Sequence, residues 1–236
     1  MRPPSKTSFW DAVKSHRADE VTRALREQPE FVSLVDKAGR TPLHDCARQR
    51  VEIATQMRAA IATARVLLNA GADLHAVHLI PDEGETFHGT ALWYALAWGR
   101  NRPLAAYFLK QKIDPNHCMF TMVFADDLPS AKLLRKHNAT IDEVFHGETE
   151  LIYAIRHRRA EFAEWLLKEG ANPNFRDKGG FTALHHAVRR RLPDTTIRAL
   201  LRHGADIGIV SNNGTSVGEL ATRAQRRLIG ANTGAA

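Results

Sequence analysis

The sequence predicts an all-α protein in which short helix-turn-helix units stack into a solenoid, with short β-hairpin fingers between them. Three observations predict this fold class. Threonine-led segments recur at intervals of 33 residues, at Thr149, Thr182 and Thr215. Apolar residues follow helical spacing rather than strand-like alternation. Small turns such as Gly170-Ala171-Asn172 and Gly204-Ala205-Asp206 close the units. A fixed period of this length indicates equal units that bury their core against each other, so we expect one continuous domain over residues 1–236.

Each unit has the local signals of two short helices. Thr41 is suited to cap the N-terminus of the first helix, and Pro42 suits the first helical position. Leu43 and Ala47 then lie one turn apart on one face. In the second helix, paired leucines precede a glycine such as Gly170, which tolerates the left-handed backbone that ends a helix.

The elements are expected in a fixed order along the chain. They are a capping helix pair at 1–35, a repeat with a lengthened second helix at 36–76, a repeat with a long finger at 77–118, a truncated repeat at 119–145, regular repeats at 146–177 and 178–212, and a C-terminal cap with a frayed tail at 213–236. The cap pairs are expected because the ends of a stack need polar faces. The step from Thr41 to Thr90 is 49 residues, which is longer than one period. The step from Thr90 to Thr149 is 59 residues, less than two periods, so the unit between them is short and Thr121 stands in for its opening threonine.

The segment Gly39-Arg40-Thr41-Pro42-Leu43-His44, together with the Gly-Ala-Asp and Gly-Ala-Asn turns, resembles the ankyrin repeat. The resemblance covers roughly residues 36–228. It implies an ankyrin-repeat solenoid of about five to six repeats plus capping helices, with protein binding as the usual function. It also implies that His44 and His185 form hydrogen bonds between neighbouring hairpins.

Positive charge is concentrated in the last third of the chain. The formal net charge is +7; residues 151–236 hold 14 Lys and Arg against 7 Asp and Glu, whereas residues 1–150 hold 19 of each. Such asymmetry concerns partners rather than fold. Two cysteines without a disulfide framework favour a reducing compartment, and no signal peptide or spanning segment is visible, so we expect a cytoplasmic monomer that does not bind membranes.

The positive charges recur at one phase of the repeat. Arg156-His157-Arg158-Arg159 is followed 33 residues later by Arg189-Arg190-Arg191. Equal phase in a stack means neighbouring positions, and the resemblance to ankyrin repeats implies that the end of the first helix faces the concave side. We therefore expect a basic patch on the concave wall. The same phase in an earlier repeat brings in Trp98, with Tyr94 one turn before it. The predicted partner-binding residues are Tyr94, Trp98, Tyr153, Arg156, His157, Phe181, His186, Arg189 and Arg190. Two alternatives stay open: the charges form a solvated face, and Trp98 packs against the finger at 77–88.

Three functions compete. The favoured one is a non-catalytic scaffold that binds a protein with an acidic surface in its concave groove, an association that salt would weaken. The second is binding of RNA or another nucleic acid, for which the basic repeats offer few regularly spaced aromatics. An enzyme is the third, but the chain has no recognisable catalytic motif. Twelve histidines raise the question of a metal, yet none has companions at ligand spacing, so we expect no metal site and no cofactor.

Overall fold

The computed structural model describes residues 3–82 and 84–230. Within this part of the chain the helices form seven consecutive pairs, five of them between the two terminal pairs. The pairs are α1 (Lys6–Lys14) and α2 (Ala18–Glu27), α3 (Pro42–Arg48) and α4 (Ala54–Asn69), α5 (Ala91–Ala97) and α6 (Arg102–Lys110), α7 (Met119–Ala125) and α8 (Leu128–Lys136), α9 (Glu150–Arg156) and α10 (Ala160–Lys168), α11 (Ala183–Arg189) and α12 (Asp194–Arg202), and α13 (Val217–Leu220) and α14 (Arg223–Gly230). A 3₁₀ turn at Pro29–Ser33 follows α2. The expected frayed tail at 232–236 lies outside the described residues.

The chain divides into two compact units. The N-terminal unit comprises Met1–Cys118 and Lys132–Ala139, and the C-terminal unit comprises Met119–Ala131 and Thr140–Ala236. In the N-terminal unit the first helices of successive pairs pack in the order α1, α3, α5 and the second helices in the order α2, α4, α6. In the C-terminal unit the corresponding rows are α7, α9, α11, α13 and α10, α12, α14. Residues at equal phase in neighbouring repeats are therefore neighbours within each unit.

Hydroxyl side chains start most of the first helices. Thr90 accepts a hydrogen bond from the backbone N–H of Trp93 at 3.2 Å, and Thr149 lies in the same N-cap position before α9. The last repeat differs from the sequence prediction by one residue. Ser216, not Thr215, caps α13, because its hydroxyl accepts the N–H of Glu219 at 3.2 Å.

The short middle repeat keeps both of its helices. Helices α7 and α8 have 7 and 9 residues, as α9 and α10 do. The missing residues come from the connection before α7, which has 8 residues between α6 and α7 against 14 between α10 and α11. Thr121 consequently lies inside α7, and its assignment as an opening cap was wrong. Asn138 has a φ of 65°, so it takes the left-handed turn position as expected.

The N-terminal unit contains the long finger and the long helix. Strands β1 (His78–Asp82) and β2 (Glu85–Gly89) pair antiparallel, with Ile80 opposite Phe87. The Phe87 ring lies 4.9 Å from Trp93 on α5, which anchors the finger to the helix behind it. Helix α4 has 16 residues, whereas α6 has 9. His44 Nε2 lies 3.0 Å from the carbonyl of Ala76 at the base of the finger, as the repeat resemblance implied.

Buried aliphatic and aromatic side chains fill the space between the two helix rows of each unit. Phe9 and Phe108 are fully buried in the N-terminal unit and Phe162 in the C-terminal unit. Both cysteines, Cys46 and Cys118, are buried, and neither forms a disulfide. Among the helices of the described part, none combines the length and the apolar character needed to cross a bilayer.

Candidate protein-interaction surface

Four arginines of the C-terminal unit form one group, which we call the arginine cluster: Arg156, Arg158, Arg189 and Arg190. Arg156 and Arg189 end the adjacent helices α9 and α11, at the same phase of their repeats. Arg158 Nη2 donates a hydrogen bond to the carbonyl of Arg190 at 3.0 Å. Burial, and then the positive charges of Arg156, Arg189 and Arg158, lower the pKa of Arg190. The predicted side-by-side placement of these phases is therefore present in the structure.

Only one member of the arginine cluster is neutralised by a carboxylate. Arg156 forms an ion pair with Glu148, which lies just before α9. Within residues 3–82 and 84–230, Arg158, Arg189 and Arg190 form no ion pair. Arg158 and Arg189 are also exposed, and Arg190 is half-buried. The cluster thus presents unpaired positive charge to solvent.

A buried histidine positions Arg189. His186 Nε2 lies 2.7 Å from Asp177 Oδ2, and Arg189 Nη2 lies 3.0 Å from His186 Nδ1. Because a guanidinium only donates, Nδ1 must accept, and the ring proton belongs on Nε2, where it is donated to Asp177. Burial lowers the pKa of His186, and the hydrogen bond to Asp177 opposes this shift only in part, so the neutral ring required for this chain of bonds is favoured.

Aromatic rings flank the arginines on both sides. The Arg189 guanidinium lies 4.9 Å above the ring of Phe181, within the range of a cation–π contact. On the other side, His157 is exposed and stacks on Tyr153, with ring centroids 4.1 Å apart and an interplanar angle of 20°. Burial, followed by the charges of Arg156, Arg190 and Arg159, lowers the pKa of His157.

One exposed aromatic residue of this surface, Phe124, is not among the contact residues predicted from the sequence. Phe124 is 64% exposed, and its ring centroid lies 6.1 Å from that of Tyr153. It occupies the phase of Arg156, since the buried Met119, Met122 and Val123 of α7 match Leu151, Ala154 and Ile155 of α9. The misplaced start of α7 at Thr121 concealed this equivalence; matching the apolar pattern of the two helices would have revealed it.

Two predicted contact residues are placed differently from the expectation. Tyr94 is only 4% exposed, and its hydroxyl lies 2.6 Å from His78 Nδ1, so its assignment to an open groove was wrong. Its position is a packing position because the finger covers it. His186 is 2% exposed and positions Arg189 rather than meeting a partner itself.

Trp98 of the N-terminal unit is exposed, at 58% of its surface. The tryptophan that packs on the finger is Trp93. The next residue, Gly99, cannot be enlarged, since an added Cβ would lie 2.2 Å from the carbonyl oxygen of Ala47. Trp98 is therefore exposed beside this close contact, and it is not the tryptophan that packs against the finger.

The described residues contain no group of three His, Cys, Asp or Glu side chains able to hold a metal ion. The pairing of His186 with Asp177 is accounted for by the orientation of Arg189. The arrangement is therefore one of unpaired cations, stacked aromatic rings and a fixed helical frame.

Helix pairs that stack on one another, with a hairpin finger at 78–89, define a helical-repeat protein. Residues 118–211 match the family model for ankyrin repeats, in 3 copies. The chain is an ankyrin-repeat protein.

Solved structures and curated relatives agree with this assignment. The ankyrin repeat domain of Bcl-3 superposes with a TM-score of 0.74 and 22% identity, covering 97% of this chain and 98% of that one. The human ASB11 ankyrin repeat domain superposes with a TM-score of 0.66 and 20% identity, covering 95% of this chain and 96% of that one. At these identities the likeness concerns the fold.

Sequence relatives match over shorter stretches. Putative ankyrin repeat protein L92 of Acanthamoeba polyphaga mimivirus is 43% identical over 72 residues, which is 30% of this chain and 17% of that protein. The 2-5A-dependent ribonuclease of Homo sapiens is 40% identical over 67 residues, 28% of this chain and 9% of the ribonuclease. The chain thus spans less than a fifth of the length of these relatives.

Proposed function

We propose that the chain is a non-catalytic protein-interaction module whose arginine cluster binds an acidic surface of a partner protein. Ankyrin-repeat domains generally mediate protein–protein interaction. The observation that carries the finer proposal is the unpaired charge of Arg158, Arg189 and Arg190 on one face of the C-terminal unit. Exposed arginines held by aromatic and histidine neighbours lose little freedom on binding, which favours contacts with carboxylates.

The aromatic geometry favours a protein over a nucleic acid. Binding of single strands needs aromatic faces on which successive bases can stack. Here one face of Phe181 lies under Arg189, and Tyr153 is stacked on His157 and met by the edge of Phe120 at 4.9 Å. Phe124 is largely exposed, whereas the exposed ring of His157 has one face covered by Tyr153. One open phenyl ring suits an apolar contact with a peptide better than a run of bases.

Trp98 is proposed as a second contact, in the N-terminal unit. Large exposed aromatics are enriched among residues that dominate binding energy. Cys46 and Cys118 are buried and form no disulfide, which fits a reducing compartment such as the cytoplasm.

Charge reversal tests the proposal most directly at Arg158 and Arg189. Both are exposed and free of carboxylates, whereas reversing Arg156 would place two acidic groups together at Glu148. The probe is a fluorescein-labelled peptide of alternating glutamate and serine, followed by anisotropy at low and moderate salt. Arg158→Glu with Arg189→Glu should weaken binding by about tenfold or more.

The matched control is Arg198→Glu with Arg202→Glu, which makes the same change in net charge on exposed positions of α12. It should retain most of the affinity, and both double variants should unfold at nearly the wild-type temperature. Equal losses in the two variants would show that only net charge matters and would overturn the proposal. Preference for a labelled oligouridylate over the peptide would favour nucleic-acid binding instead.

A further inference from the structure

An apolar cleft opens beside the arginine cluster, entirely within the C-terminal unit. Its volume is about 160 Å³. Ile155 and Leu192 form its buried floor, and Ala160 and Pro193 stand exposed at its mouth. Arg158 lines the rim. The cleft exists because α9, α10 and α12 meet here through small or short side chains such as Ala160.

The size of the cleft decides what can occupy it. Sites for small-molecule ligands usually measure about 300–1,000 Å³. A cavity of about 150 Å³ accommodates one benzene molecule. The cleft therefore suits a single apolar side chain of similar size, such as leucine or isoleucine, rather than a cofactor.

The charge around the cleft decides what must lie next to that side chain. Arg158 belongs both to the rim and to the arginine cluster, since its guanidinium donates to the carbonyl of Arg190. The second arginine of the rim, Arg159, is paired with Asp126 at 2.8 Å. The unpaired charge at the mouth is thus that of Arg158, and an apolar group entering the cleft would bring its chain neighbours directly against it.

We propose that the cleft binds one aliphatic side chain of the acidic partner, so that the recognised segment is a leucine or isoleucine flanked by carboxylates. This inference rests on the proposed function, because the carboxylates are those that the arginine cluster attracts. The aliphatic side chain supplies a fixed register for the bound segment, which charge alone does not. Coulombic contact with exposed arginines is tolerant of position and screened by salt, whereas one buried side chain fixes the register of the bound segment.

The test compares two labelled peptides that differ at one residue: a nine-residue peptide with leucine at its centre and glutamates on both sides, and the same peptide with serine at the centre. The full chain should bind the leucine peptide about tenfold more tightly, which corresponds to the partial burial of one leucine side chain. Raised salt should weaken both peptides while leaving their ratio nearly unchanged, because only the ionic part is screened.

Filling the cleft provides the structural control. Ala160→Trp, or the smaller Ala160→Met, places a side chain at the mouth from the exposed first residue of α10. Either variant should reduce the preference for leucine to less than about twofold while the serine peptide still binds. Ala54→Trp changes the exposed first residue of α4 in the same manner and should keep the full preference.

The outcomes separate the two proposals. Equal binding of both peptides by the wild-type chain, or a preference that survives in both Ala160 variants, would overturn the cleft assignment alone. Failure of both peptides to bind at all would overturn the arginine-cluster proposal and this inference with it.

Discussion

The segments Asp36–Arg48 and Asp177–Arg189, which open two of the repeats, share a frame but carry different charges. Both have an aspartate before a glycine turn, a threonine cap, a histidine three residues later and an arginine at the end of the first helix. The matched pairs are Asp36 and Asp177, Thr41 and Thr182, His44 and His185, and Arg48 and Arg189. The difference lies between these positions, where Arg40 and Asp45 correspond to Phe181 and His186.

In the first of these repeats the acidic groups neutralise the arginines. Asp45 is buried and faces Lys14 and Arg40 at 3.6 Å and Arg48 at 3.2 Å. Arg40 also pairs with Asp36 at 2.6 Å. The cations of this repeat are therefore held in an internal network, in agreement with the balanced charge of residues 1–150.

In the second repeat the aspartate binds a histidine instead. Asp177 accepts a hydrogen bond from His186. The charge of Arg189 is not neutralised by a carboxylate, because His186 stands where the first repeat has Asp45. Whether an arginine of this frame is available for binding is thus decided by one residue three positions before it. Net charge by itself would not separate the two cases.

The largest expected loss of stability comes from removing the acid of the first repeat. Asp45→Ala leaves Lys14, Arg40 and Arg48 close together without their shared carboxylate. Loss of one partner of a buried pair costs about 3–5 kcal/mol; because these cations are partly exposed, we expect about 2–3 kcal/mol here. The measurement is urea denaturation followed by circular dichroism.

The control for Asp45 is an exposed ion pair. Glu164 and Lys168 form a pair 2.8 Å apart, with both side chains more than half exposed. Glu164→Ala should leave the urea midpoint nearly unchanged, because an exposed ion pair contributes little to stability. Similar losses in the two variants would contradict the idea that Asp45 organises the first repeat.

A second buried acid, Glu150 of the C-terminal unit, lacks the cations that surround Asp45. Burial, together with the charges of Glu143 and Asp142, raises its pKa to about 8. A folded-state pKa above the unfolded value means that stability is greatest when the group is protonated and is lost as the pH rises from about 4.5 to about 8. Glu150→Gln should therefore stabilise the protein at pH 8.5, by about 2–4 kcal/mol.

The measurement is the free energy of unfolding between pH 5 and 8.5. The free energy of unfolding of the wild type should fall with rising pH in this window, relative to that of Glu150→Gln. A substitution at the exposed Glu161 should show the same dependence on pH as the wild type. Parallel curves for wild type and Glu150→Gln would mean that Glu150 is already ionised in the folded state.

The sequence predicted the parts of this comparison that depend on period. Arg156 and Arg189 share a phase, so stacking was enough to place them together. It could not predict what depends on local chain paths. The burial of Tyr94 follows from the route of the finger, and the exposure of Phe124 follows from a connection shortened before α7. The ion pair of Arg156 with Glu148 and the role of His186 arise from side-chain geometry that no spacing records.

The smallest expected effect concerns the pH dependence of binding at His157. Its pKa is lowered by burial and then by Arg156, Arg190 and Arg159, so the free protein holds this ring neutral near pH 7. An acidic segment on the arginine cluster offsets those charges, which raises the pKa of His157 and makes binding take up a proton. Affinity for the glutamate peptide should consequently increase as the pH falls from 7.5 to 5.5, by about threefold more in the wild type than in His157→Gln.

Anisotropy titrations of both proteins with the same peptide cancel the titration of the peptide itself. If the ratio of the affinities at pH 5.5 and pH 7.5 is the same for His157→Gln as for the wild type, then His157 lies outside the field of the bound acid. The binding surface would then end at the arginines.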